Sequence, residues 1–282
     1  MPLGAHLPTS KGFEAALRQA QELECDCLQI FAKSPRQWHA RPMDPDMAAE
    51  FSRSWKKSGL TPLVAHDSYL INLASADEAL REKSIAAMVD EIERCDLLGC
   101  DYLVTHCGAH LVEKGGDEAC LAGLDRLAES LKDCFARKPD SKTVVCLENT
   151  AGQGTTLGGP FEHIARVLKK LPQGRAGVCF DTCHAFSYGH DIVNDLPGVL
   201  AAFDQHIGLE NLRVVHFNDS KTPFGDRKDR HEHIGKGLIG GTAMRAIVRH
   251  PALKALPFIM ETPEMETEAA HNLATVRGYM AG

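Results

Sequence analysis

Six short apolar runs in this chain each stop at His, Asp or Glu. The first three are Leu63-Val64-Ala65-His66-Asp67, Tyr102-Leu103-Val104-Thr105-His106 and Val144-Val145-Cys146-Leu147-Glu148-Asn149. The others are Val178-Cys179-Phe180-Asp181-Thr182-Cys183-His184, Val214-Val215-His216-Phe217-Asn218-Asp219 and Pro257-Phe258-Ile259-Met260-Glu261. Each has the length and the apolar, β-branched content of a strand buried on both faces, which is the signature of a parallel sheet. One polar ending is noise. Six at the C-terminal end of a candidate parallel strand point to one shared pocket.

The intervening segments read as helices. Phe13, Ala16, Leu17 and Ala20 repeat at helical spacing within Gly12 to Leu23, and a helix is expected around Met47 to Lys57. Glu78 to Leu98 carries Ile85, Met88, Ile92 and Cys95 on one face, and Glu118 to Phe135 repeats the pattern. Further helices are expected over Phe161 to Leu171, Leu196 to Ile207, near Met244 to Val248, and at the end of the chain. Leu3-Gly4-Ala5-His6 and Cys27 to Ala32 supply two more strands, while the stretch after His216 reads as a long polar loop to Gly241. About eight strand–helix units in roughly 250 residues predict one (β/α)₈ TIM barrel spanning 1–282, with its site at the C-terminal strand ends. A doubly wound open sheet is the alternative, but it gathers site residues at a single switch point.

The chain has 282 residues and no apolar run of membrane-spanning length. Met1 to Ser10 lacks the basic start and apolar core of a signal peptide, so the expected location is the cytoplasm. The ten Cys fit a reducing compartment, without C-x-x-C spacing, and read as buried thiols. A net charge of −7 argues against a generic nucleic-acid binder. Three bound divalent ions would bring the total near −1, so charge alone decides little.

The candidate metal ligands are His66, His106, Glu148, Asp181, His184, His216, Asp229, His231 and Glu261. Imidazole and carboxylate together suit Zn²⁺ or Mn²⁺. Nine donors exceed the four a tetrahedral zinc takes and suit two or three ions. A single His or Asp at a strand end is ordinarily a hydrogen-bonded structural residue, a reading that the six-fold recurrence outweighs; Asp229-Arg230-His231 lies in a loop and alone reads as a solvated charged segment. The remaining His are taken as non-ligands, with His110 and His233 as the expected supports of the ligand set. Other motifs fail. Leu157 stands at the last glycine of a G-x-G-x-x-G pattern, and His231-Glu232-His233 lacks H-E-x-x-H spacing. Ser68, Ser187 and Ser220 lack a nucleophile-elbow context.

Longer stretches carry a specific resemblance. They are His66-Asp67-Ser68-Tyr69-Leu70-Ile71-Asn72-Leu73, Glu148-Asn149-Thr150-Ala151-Gly152-Gln153-Gly154 and Gly177 to Ala185, with His216 to Lys221 and Asp229 to Gly237. Over nearly its whole length the chain resembles the endonuclease IV family of apurinic/apyrimidinic (AP) endonucleases. That resemblance implies a TIM barrel with three zinc ions, with Mn²⁺ as the alternative occupant. By position, His66, His106 and Glu148 would hold the first ion, and Glu148 would bridge to a second completed by Asp181, His216 and Glu261. His184, Asp229 and His231 would hold the third. The implied activity is hydrolysis 5′ to an abasic site in double-stranded DNA by a monomer, with trimming of blocked 3′ ends. Glu148 and Glu261 are expected at the reacting centre, and Arg36, Tyr69 and Leu70 at the DNA. Lys11-Gly12 and Pro35 depart from the family pattern in the DNA loops. The competing reading is a sugar isomerase or epimerase, which would use Glu148, Asp181, His216 and Glu261 but not the other five donors.

Overall fold

The computed structural model describes residues 1–281. Its first half alternates β1 (Leu3–His6), α1 (Phe13–Glu22), β2 (Cys27–Phe31), α2 (Pro45–Ser58), β3 (Leu63–His66), α3 (Glu78–Leu98), β4 (Tyr102–His106) and α4 (Gly116–Arg137). Then come β5 (Val144–Glu148), α5 (Phe161–Leu168), β6 (Ala176–Asp181), α6 (Thr182–Tyr188), α7 (Leu196–His206) and β7 (Leu212–His216). A two-stranded hairpin, β8 (Asp219–Ser220) and β9 (His231–Glu232), precedes α8 (Gly240–Arg249), β10 (Phe258–Met260) and α9 (Met265–Ala281). Eight strands close a parallel barrel in the order β1-β10-β7-β6-β5-β4-β3-β2. The expected TIM barrel is therefore the observed fold. Among the described residues no helix is long and apolar enough to cross a membrane.

Local chemistry sets the helix ends. Asp44 accepts hydrogen bonds from the Asp46 and Met47 amides, Pro45 opens α2, and Gly59 closes it in the left-handed region at φ 76°. Asp77 caps α3 through the Leu80 amide. The reading of Val178 to His184 as one run needs correction. The strand stops at Asp181, whose carboxylate accepts from the His184 amide at 2.7 Å and starts α6. His184 is thus in the first turn of a helix. The stretch after His216 is also more ordered than expected. Asp219 is fully buried and accepts from the amides of Gly235, Gly237 and Ile239 at 3.0–3.1 Å. Its carboxylate folds the β8–β9 hairpin and the segment beyond into one unit.

The barrel interior is filled by one layer from alternate positions: Cys27, Val64, Val104, Cys146, Cys179, Val214 and Ile259. Gly4 is in register with Cys27 and Ile259 and is the β1 member of this layer. A Cβ at Gly4 would sit 2.1 Å from the Cys27 carbonyl oxygen. Backbone cannot give by that much, so Gly4→Ala should cost about 3 kcal/mol, the upper range of overpacking. Thermal unfolding checks this, and an unchanged midpoint would show that the barrel tolerates closer packing there.

Candidate metal centre

Side chains alternate in and out along a strand, so the residue two positions beyond each layer member also points inward. Counting two forward gives His6, Gln29, His66, His106, Glu148, Asp181, His216 and Glu261. The candidate site is therefore the next layer of the barrel, built from the same pleat that packs the core. His66, His106, Glu148, Asp181 and His216 are the last residues of their strands, and Glu261 directly follows β10. His184 comes from α6, Asp229 from the loop before β9, and His231 from β9 itself.

Donor atoms of His66, His106 and Glu148 lie within 4.8 Å of one another. The same holds for Glu148, Asp181, His216 and Glu261, and for His184, Asp229 and His231. All nine sequence candidates thus fall in three adjoining groups, the first two sharing Glu148. Glu148 is fully buried and its ion-pair partners are imidazoles of His66, His106, His184 and His216, at 3.0–3.4 Å.

The hydrogen-bond directions matter more than the distances. His66 Nδ1 donates to the Asp67 carbonyl at 2.9 Å, His184 Nδ1 to the Asn149 carbonyl at 2.9 Å, and His231 Nδ1 to the Glu261 carbonyl at 3.0 Å. His216 Nε2 donates to Gln29 Oε1 at 2.7 Å. Each bond spends one ring proton on a carbonyl and fixes the tautomer. The other ring nitrogen then presents a lone pair to a carboxylate. His66 Nε2 faces Glu148 at 3.4 Å, His184 Nε2 faces Asp229 at 3.2 Å, and His216 Nδ1 faces Glu148 at 3.0 Å. Acceptor facing acceptor needs a cation between them, whether an extra proton or a metal ion. His231 Nε2 is buried and has no hydrogen-bond partner of proper geometry. This donor set fits divalent metal ions.

The charges that surround these groups agree. Burial opposes a charged imidazole, yet Glu148 outweighs it and lifts His66 to about 10. Burial likewise opposes His231, but Asp229 and Asp181 raise it to about 9. Burial pushes Glu148 toward the neutral form, and His216 and His106 hold it well below the usual carboxylate range instead. Asp181 goes the other way, raised by burial. The pocket is a concentration of negative charge that demands cations.

Sequence reasoning missed the supports. His110 Nδ1 accepts from the Val112 amide, and His233 Nδ1 meets Asn272, so neither expected support contacts the ligand groups through these bonds. The supports are Asn149, Asn218, Gln29 and His6. Asn149 exchanges two bonds with the Asp181 backbone, at 2.8 and 3.0 Å. Asn218 donates to Asp181 Oδ2 at 2.7 Å and accepts from the Glu261 amide at 2.8 Å. Gln29 Nε2 donates to Glu261 Oε1 at 2.6 Å, and His6 Nδ1 meets the same oxygen at 2.9 Å. The two-residue period was the available signal for His6 and Gln29.

Of the three residues expected at the DNA, Tyr69 lies against the histidines of this layer. Arg36 is exposed on the loop after β2. Tyr69 is 59% exposed, with its ring 5.5 Å from Phe31 and 5.7 Å from His66. Leu70 is half-buried beside it.

A closed parallel barrel with its polar layer at the C-terminal strand ends defines a class, and the xylose isomerase-like TIM barrel family model matches residues 17–279. Within that class the chain belongs to the endonuclease IV family of AP endonucleases. It is 45% identical to a "Probable endonuclease 4" of Chloroflexus aurantiacus, covering 99% of this chain and 98% of the relative. A "Probable endonuclease 4" of Methanoculleus marisnigri is 40% identical over 98% of this chain and 97% of its own. The crystal structure of endonuclease IV from Thermus thermophilus superposes with a TM-score of 0.88 at 36% identity, covering 99% of both chains. A D-tagatose 3-epimerase-like protein matches with a TM-score of 0.75 at 18% identity over 99% of this chain and 97% of that one, which is a likeness of fold alone.

Proposed function

We propose that this barrel, as one unit over 1–282, hydrolyses the phosphodiester 5′ to an abasic site in duplex DNA and uses three zinc ions to do so. The products would be a 3′-hydroxyl and a 5′-deoxyribose phosphate, and the same site would trim blocked 3′ ends. The observation that carries this reading is the convergence of nine donors into three adjoining groups. His66, His106 and Glu148 would hold one ion; Glu148, Asp181, His216 and Glu261 a second; His184, Asp229 and His231 a third. Bound there, divalent ions supply the positive charge that stabilises phosphoryl oxygens and activates water.

The residues divide the remaining work. Glu148 is sealed from solvent and would serve as a ligand shared by two groups. Among the strand-end carboxylates Glu148 and Asp181 are sealed while the Glu261 side chain is 15% exposed, so Glu261 is the one of the three that an entering water can meet. His6 and Gln29 fix its Oε1, leaving Oε2 to hold or take a proton. Arg36, Tyr69 and Leu70 would meet the duplex around the lesion.

An isomerase or epimerase could be run by Glu148, Asp181, His216 and Glu261 alone. The other five donors have no task there, which favours the nuclease. Metal analysis of the purified protein, with nicking of a duplex carrying one abasic site, tests the proposal. About three zinc equivalents, loss of nicking with chelator and recovery with zinc are the expected results. Ketose epimerisation without nicking would overturn it.

The third group gives a sharper test. The Asp229 side chain is 45% exposed and sits on a loop, so an ion held there should exchange fastest. Asp229→Asn should lower zinc content by about one equivalent and weaken nicking. Unchanged stoichiometry would remove this loop from the ligand set.

A further inference from the structure

The loop bearing Arg36 and the loop bearing Tyr69 and Leu70 are tied together beneath the surface. Ser68 Oγ donates to the Pro35 carbonyl at 2.8 Å and accepts from the Leu70 amide at 3.3 Å. One hydroxyl therefore bridges the residue before Arg36 and the residue pair expected at the lesion. The Ser68 amide donates to Glu91 Oε1 on α3 at 3.2 Å. The same oxygen lies 3.6 Å from Lys33 Nζ, at the start of the Arg36 loop, and Lys33 also meets Asp90 at 2.9 Å. The side chains of Lys33 and Glu91 are each 1% exposed. A buried ion pair is costly to hold and weak evidence of stability, so its placement asks for another explanation. The brace continues along α3, where Lys83 stacks on Trp38 at 4.3 Å and Arg94 donates to the Arg41 carbonyl at 2.8 Å.

We propose that Ser68 and Glu91 are positioning residues that lock these two loops into one rigid DNA-contacting unit. The inference rests on the reading of Arg36, Tyr69 and Leu70 as DNA contacts. Its physical content is preorganisation: loops ordered before binding cost less entropy when the duplex arrives. Neither residue touches the reacting atoms. Their loss should weaken capture of abasic duplex and leave the chemical step alone.

Three zinc-loaded variants test this against wild type. Ser68→Ala removes the bridging hydroxyl, Glu91→Met removes the acceptor of the Ser68 amide, and Glu91→Gln keeps an acceptor oxygen. Ser68→Ala and Glu91→Met should each raise KM for an abasic duplex about fivefold with kcat unchanged, the size of one lost hydrogen bond. Glu91→Gln should stay near wild type. Amide hydrogen exchange should speed up across residues 34–41 in Ser68→Ala, although the substitution lies on the other loop. A fall in kcat at constant KM, or unchanged exchange across 34–41, would overturn the coupling. If Glu91→Met does not fold, Ser68→Ala still decides, because it deletes one oxygen. Failure of wild type to nick abasic duplex would sink the functional reading instead, and the exchange measurement would still decide whether the loops are coupled.

Discussion

Glu261→Gln should lower nicking of an abasic duplex by about a thousandfold, within the range that a positioned acid–base group contributes. The substitution keeps side-chain volume, so the barrel should fold and melt as before. Its effect follows from the donors around it. Gln29 Nε2 and His6 Nδ1 both point at Oε1, so an amide NH₂ cannot face them. The NH₂ must take the Oε2 position, 3.2 Å from His216 Nδ1. There it would donate to the lone pair that His216, with its Nε2 proton spent on Gln29, has to offer. One substitution thus removes a negative charge, a ligand oxygen and the one strand-end carboxylate open to solvent, and engages a neighbouring ligand. Turnover near wild type in the purified, zinc-loaded variant would reject the role given to Glu261.

The strand ends were legible in the sequence for a definite reason. A fully buried parallel strand tolerates polarity only where it opens into a site, so His66, His106, Glu148, Asp181 and His216 each mark the end of an apolar run. His6 and Gln29 obey the same rule but were hidden. His6 closes the weak run Leu3-Gly4-Ala5, whose interior position is a glycine, and Gln29 lies inside an apolar strand. Asn149 and Asn218 could be read as neighbours of ligands but not as their supports, since their bonds cross to other strands. The α6 helix was missed because Asp181 is at once a strand end and a helix cap, and the run of apolar residues continues through both. The β8–β9 hairpin depends on Asp219 bonding amides some twenty residues away, which no local pattern announces.

Tyr69→Ala combined with Leu70→Ala should separate recognition of the lesion from hydrolysis. Tyr69 presents most of its ring to solvent, while its inner edge rests against Phe31, 5.5 Å away. A large aromatic held at its base and exposed at its tip suits insertion into a base stack. Extruding a nucleotide costs a few kcal/mol of unstacking, least where the base is already missing. A wedge that fills the gap offsets that cost, so its removal should weaken nicking of abasic duplex by about a hundredfold. A small phosphodiester such as bis(p-nitrophenyl) phosphate requires no flipping and should be affected far less. The proximity of the Tyr69 ring to His66, at 5.7 Å, and to His106, at 6.5 Å, supplies the competing explanation. If the ring chiefly braces those imidazoles, the double variant should lose zinc and both substrates should suffer alike. Full zinc content with selective loss of the duplex substrate assigns the pair to the DNA. Equal losses on both substrates would return it to the support of the metal site.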